Sequence, residues 1–272
     1  MFTSRKYKLI LLTLGIFLLP LVKNASNSKL SNDIFKSHII RALGNDVNVI
    51  LIDAGHGGKD VGCSGHHLLE KDVALALAFK VGQLLNEQFP KIEVRYTRIE
   101  DVFIPLHKRV AMANEDDVDL FISLHCNAIK DPSAHGIETY VVGIETSAEN
   151  MAIAKRENDV IHMEDLSEYD PYSSEGHIMI AMNQQHTLEK SIHLADFTQT
   201  ALGGNTVFRD RGVKQAGFVV LRKVLVPSIL VEAGFISNPT DASRLKEADH
   251  QNKIAQSVVS GVGKYIAFYS TQ

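Results

Sequence analysis

The strongest constraint on the fold is a set of three short apolar runs, each of which stops at a side chain that can bind a metal. "VILIDAGH" ends at His56, "LFISLHCN" carries His125 near its end, and "SILVEAGF" carries Glu232. Runs rich in Val, Ile and Leu, without polar alternation, read as strands buried on both faces, the mark of a parallel sheet covered by helices. Similar segments alternate around them. Strands are expected at 47–53, 92–97, 118–124, 136–142, 218–221 and 228–233, and helices at 71–88, 105–115 and 249–269, the second opening on Pro105. The expected fold is α/β: a single domain over 47–270 with a mostly parallel central sheet and helices on both faces.

Between Gly143 and Gly203 the rhythm breaks. Two helical patterns, 147–162 and 176–201, flank the acidic, turn-rich "HMEDLSEYDPYSSEGH", with no strand between them. A helical insertion at about 144–202 is expected, appended to the sheet rather than built into its core.

In open α/β sheets ligands bind beyond the carboxyl ends of the strands. If the three runs are parallel neighbours, His56, His125 and Glu232 converge there, and two imidazoles with a carboxylate suit zinc and hydrolysis. Gly55, Gly57 and Gly58 would then give His56 a tight backbone path and leave space for a substrate. A phosphate loop is the poorer reading, because the run lacks the G-x-G-x-x-G spacing. A further ligand is needed if Glu232 is to move protons. "GHHLLEKDVALAL" offers His66, His67 and Glu70, and spacing alone does not choose among them; Glu70 can equally stabilise a helix N-terminus. Asp53 is expected to position the loop or the groups behind the ligands, as an acid hydrogen-bonded to a ligating imidazole would. Arg98, Arg109 and Asn114 are expected to brace the fold, while Asn127 and the "GFISNP" turn are candidates for lining the cleft.

The formal net charge is −4, which gives no reason to expect nucleic acid. Arg5, Lys6 and Lys8 precede an apolar stretch from Leu9 to Val22. That stretch is shorter than the roughly 20 residues a membrane-spanning helix needs. The expectation is a signal peptide over 1–25, then a linker or leading helix over 26–46, with export to the periplasm or cell envelope and no stable membrane insertion after cleavage. An uncleaved anchor is the alternative, since Lys23 spoils the small-residue pattern before Ala25. Cys63 and Cys126 are the only cysteines, and their spacing does not fix a disulfide.

Taken in order, "LIDAGHGGKDVGCSG…EKDVALALA", "RYTRIEDVFIPLHKRVAMAN", "DLFISLHCNA", "GIETYVV" and "RGVKQAGFVVLRKVLVPSILVEAGFISNP" resemble the zinc-dependent N-acetylmuramoyl-L-alanine amidases that cut bacterial peptidoglycan. The resemblance covers roughly residues 48–268, broken by the insertion. It implies one Zn2+ per chain held by His56, Glu70 and His125, Glu232 as the catalytic carboxylate, and peptidoglycan as the partner. Val61 and Cys126 depart from it, standing where proline and alanine are common, and Cys126 beside a ligand raises the question of a thiol at the metal. Two other functions share much of this pattern: a zinc peptidase acting on the stem peptide, and a wall-binding or activator protein with an inactive site. Some members of the resembling family carry a helical insertion that blocks the metal until a protein activator moves it. On that basis the insertion is expected to be a lid. Among Glu164, Asp165, Glu168 and Asp170, Glu164 is the expected donor of a carboxylate to the open metal position; the alternative is a solvated loop.

Overall fold

In chain order, β1 (Val49–Ala54) is followed by a small hairpin, β2 (Ser64–Gly65) and β3 (Leu68–Leu69), which leads into α1 (Glu70–Gln88). Next come β4 (Glu93–Tyr96), α2 (Leu106–Ala113), β5 (Leu120–Asn127) and β6 (Ile137–Val142). After β6 the chain forms α3 (Ala148–Asn158), a 3-10 turn (Asp159–Met163) and α4 (Ser174–Asn205). It closes with β7 (Asp210–Ala216), the single-turn α5 (Val219–Arg222), β8 (Ser228–Phe235), α6 (Pro239–Lys246) and α7 (Ala248–Ser270). A computed structural model describes residues 46–115, 117–144, 147–164 and 174–271. The expected leader, all but the last residue of the expected linker, and Asp165, Glu168 and Asp170 lie outside the described residues.

Six strands form one sheet in the order β4-β1-β5-β8-β6-β7. β1, β5 and β8 are parallel neighbours at its centre, and every residue of all three is buried, as their unbroken apolar runs require. β6 runs antiparallel to β8 and parallel to β7. It therefore lies beside the Glu232 strand, not beside the His125 strand.

Two apolar clusters cover the two faces. On one, Val73, Leu77 and Val81 of α1 and Ile254, Val258 and Val262 of α7 pack onto Ile50, Ile52 and Ile122. On the other, Val110 of α2, Ile153 of α3 and Leu221 of α5 pack with Leu51, Phe121 and Tyr140. Two expectations fail here. Residues 218–221 were expected to be a strand, but 219–222 form α5; the sixth strand is the polar segment Asp210–Ala216, whose charges suit a sheet edge and mask its period. The second helix of the insertion is also no appendage. Leu194, Ala195 and Leu202 of α4 are fully buried in the first cluster. A parallel β6–β7 pair cannot be joined by a hairpin, and α4 is the crossover that joins it. Among the described residues no helix is long and apolar enough to cross a membrane.

Candidate active site

β1, β5 and β8 deliver their last side chains to one crevice. Glu232 stands level with His125 across the β5–β8 pair, and His56 follows β1 directly. His56 adopts a left-handed backbone (φ 58°). That path is secured by carbonyl contacts: Arg109 donates to Ala54 O (2.7 Å) and His56 O (2.6 Å), and Arg98 donates to Ala54 O (2.9 Å) and Gly55 O (2.8 Å). Both arginines brace the fold, as expected. Asn114 does too, holding Lys223 O and Leu225 N at 2.8 Å each.

Gly57 and Gly58 give way to the backbone at Val102 and Phe103, while Gly55 and Gly62 make room for the cluster's own side chains rather than for a substrate. A Cβ on Gly55 would sit 2.4 Å from the His125 ring, and one on Gly62 (φ +66°) would sit 2.6 Å from both Glu70 Oε2 and the His56 ring. Glu70, first residue of α1, is fully buried. Its carboxylate accepts from Cys63 N (2.8 Å) and Cys126 N (2.9 Å), which fixes its orientation towards the histidines. His66 and His67 take no part. Both are exposed in the two-residue turn of the β2–β3 hairpin, each with positive φ, as a type I′ turn requires.

Four side chains meet: His56, Glu70, His125 and, from α3 of the insertion, Glu157. Glu70 Oε1 lies 3.1 Å from His56 Nε2 and 3.0 Å from His125 Nδ1; Glu157 Oε2 lies 3.0 and 3.2 Å from the same two nitrogens. Around a tetrahedral cation with bonds of about 2.0–2.1 Å, ligand atoms are about 3.3 Å apart, so the donor set fits such an ion. His56 Nε2 and Glu157 Oε2 are buried without a hydrogen-bond partner, a costly arrangement that a cation between them relieves. Asp60 accepts from His56 Nδ1 at 2.7 Å, which places the ring proton there and turns the Nε2 lone pair towards the cluster.

The electrostatics agree. Burial alone would lower the histidines, but the carboxylates outweigh it: Glu70 and Glu157 raise His56 well above its ordinary value, and Glu157 with Glu70 raises His125 to about 9. In the metal-free protein these rings hold protons that a cation would displace. Glu232 lies beside the cluster, fully buried, with neither carboxylate oxygen hydrogen-bonded. Burial, then repulsion from Glu157 and Glu70, pushes its carboxyl well above the ordinary range. Its nearest cation is Arg156, whose Nη2 is 4.0 Å from Glu232 Oε1. Arg156 also pairs with Glu157 and donates to Ala128 O and, at 3.3 Å, to Asn127 Oδ1.

Several expectations need correcting. Asp53 positions the loop rather than an imidazole, accepting from Ser123 (2.6 Å), Thr97 (2.7 Å) and Arg109 (2.6 Å), the arginine that holds the Ala54 and His56 carbonyls, and it is Asp60 that hydrogen-bonds the His56 ring. Glu164 is not at the cluster. The 3-10 turn after α3 carries it to the start of α2, where it accepts from Leu106 N (2.6 Å) and pairs with His107 (2.9 Å). The "GFISNP" turn is a helix cap, Asn238 accepting from Thr240 N and Asp241 N, while Asn127 does border the site. Cys63 and Cys126 are free, buried thiols whose pKa is pushed up by burial, and neither belongs to the ligand cluster.

A family model described as N-acetylmuramoyl-L-alanine amidase matches residues 50–264. The amidase AmiC of Escherichia coli is 35% identical over 224 residues, which cover 80% of this chain and 53% of AmiC. The chain thus spans about half the length of that relative. AmiA of Escherichia coli is 32% identical over 227 residues, covering 82% of this chain and 78% of AmiA. Among solved structures, an N-acetylmuramoyl-L-alanine amidase from Clostridium difficile 630 superposes with a TM-score of 0.63 at 28% identity, covering 81% of this chain and 97% of that one.

Proposed function

For a chain that belongs to the N-acetylmuramoyl-L-alanine amidase family, we propose that it hydrolyses the amide between N-acetylmuramic acid and the L-alanine of the peptide stem in peptidoglycan, with zinc held by His56, Glu70 and His125. The observation that carries this reading is the convergence of those three residues beside Glu232, a buried carboxylate neither of whose oxygens is hydrogen-bonded. Zinc, when bound, supplies Lewis-acid polarisation of the carbonyl and acidification of water. His56 is held in the ligating tautomer by Asp60, and Glu70 by the two backbone amides. Glu232 takes a proton from the attacking water and returns it to the leaving amine. Its raised pKa suits the second half of that cycle, since the protonated carboxyl must be an accessible state.

With Glu157 in place the position a water and carbonyl need is filled, so the described conformation is a closed one. α3 is the lid, and its withdrawal by a protein activator starts catalysis. Export to the periplasm or cell envelope follows from the substrate, which lies outside the cytoplasm. Digestion of purified peptidoglycan tests the reading: new L-alanine amino termini on released stem peptides, with intact sugar strands, are expected. New termini inside the stem would instead mark a peptidase. Anomalous scattering at the zinc edge tests the metal independently.

A further inference from the structure

A second cationic position lies beside the cluster, and the same insertion helix covers it. Glu138 on β6 is fully buried and stands opposite Glu232 across the β6–β8 pair. Two cations of β7 hold it: Arg211 Nε and Lys214 Nζ each donate to Glu138 Oε2 at 2.6 Å. Asn127 and Tyr140 donate to Glu138 Oε1. Two positive charges thus meet one buried negative charge. The fourth charge, which neutralises the group, comes from the lid: Glu149 in the first turn of α3 pairs with Arg211. The Arg211 guanidinium stacks on the Phe235 ring, 4.9 Å from its centroid, so its direction does not depend on Glu149.

Glu149 and Glu157 sit on one short helix. A movement that frees the metal position also removes Glu149, and leaves Arg211, Lys214 and Glu138 with one uncompensated positive charge where Glu149 had been. We propose that Arg211, positioned by Glu138 and supported by Lys214, binds a free carboxylate of the peptide stem, and that Glu149 occupies this site in the closed form. The proposal rests on the amidase reading above. In that substrate the N-acetylated sugars are uncharged and the muramoyl carboxyl is spent in the amide, so a cation three strands along the sheet from His125 reads the peptide. The reach is suitable. Arg211 is three strands from His125, about 14 Å at strand spacing, which an extended peptide covers in about four residues.

The test is calorimetric binding to the full-length, zinc-loaded protein carrying Glu149→Ala and Glu157→Ala, which vacates both positions. The probes are a soluble muramoyl tetrapeptide with free carboxylates and the same compound with its carboxylates amidated. The free acid should bind about tenfold more tightly, the weight of one charge-assisted hydrogen-bonded contact. Adding Arg211→Gln should abolish that preference without weakening the amidated probe, and Arg211→Lys should keep part of it. Should Arg211→Gln fail to fold, Arg211→Lys and Lys214→Met carry the comparison. Equal affinity for the two probes overturns the proposal, as does a preference that Arg211 substitutions leave unchanged. Binding preference without cleavage of either probe would instead count against the amidase reading.

Discussion

Glu157 Oε2 lies 3.0 Å from His56 Nε2, a contact made by α3, the insertion helix whose Ile153 packs in the second apolar cluster. Its energetic logic is that of a ligand, because a buried carboxylate oxygen without a hydrogen bond persists only where a cation compensates it. The same logic makes it removable, since His56, Glu70 and His125 remain a complete three-ligand set without it.

Glu157→Ala should therefore raise basal release of stem peptides from peptidoglycan at least about tenfold while the purified protein retains stoichiometric zinc. A two-state lid biased by a few kcal/mol gives changes of this size. Loss of zinc in this variant would make Glu157 a permanent ligand and remove its role as a lid. A deletion test must be narrower than the whole insertion: cutting 150–200 would take out the α4 crossover and its buried leucines, whereas bridging 147–173 spares Leu194 and Leu202.

Glu232→Gln should keep fold and zinc and lower turnover on purified sacculi by about 10²–10⁴, the usual weight of a positioned general acid–base. It fills the same space and removes only the proton exchange. Near-parental turnover would show that another group moves the proton.

His56→Ala, Glu70→Ala and His125→Ala should each abolish stoichiometric zinc, measured by metal analysis after dialysis. Asp60→Asn should weaken zinc about 10–100-fold without abolishing it, because it loosens the imidazole rather than removing a ligand. Loading zinc at pH 7 should release about two protons, read as buffer-dependent heats in calorimetry, since both rings are raised by their carboxylate neighbours.

Asp53 gives an acid-stability prediction. Burial opposes its ionisation, but Arg109, His125 and the Ser123 and Thr97 hydroxyls outweigh burial and lower its pKa from 3.8 to about 2. Its folded pKa is depressed, so its stabilisation is present above the unfolded value and is lost as pH falls from about 4 to about 2. The linked amount is about 2 kcal/mol. In Asp53→Asn, urea midpoints should fall at neutral pH and decline less between pH 4 and pH 2 than those of the parent.

The centre of the sheet could be read from the sequence because β1, β5 and β8 are uniformly apolar, and the ends of such strands locate the crevice. The edge could not. β7 has the charges of a loop, and its strand character comes from pairing with β6 and from salt bridges to Glu138, which is distant in sequence. Asp60 escaped notice because its contact with His56 depends on a left-handed backbone at a non-glycine residue, which composition does not announce. Glu157 escaped for a different reason. It sits inside an ordinary polar helix, and only the placement of α3 across the crevice distinguishes it from Glu149 or Glu164.

The insertion leaves the sheet at β6 and returns through a helix whose lower turns are fixed in the core, so the blocking carboxylate is tethered at both ends. An inhibitor attached in this way has a local concentration set by the tether, of millimolar order for short flexible connections, and unaffected by dilution of the enzyme. On the proposed lid role, dilution would therefore not relieve it. Relief would require a partner that holds the segment elsewhere, and activity would persist only while that partner stays bound.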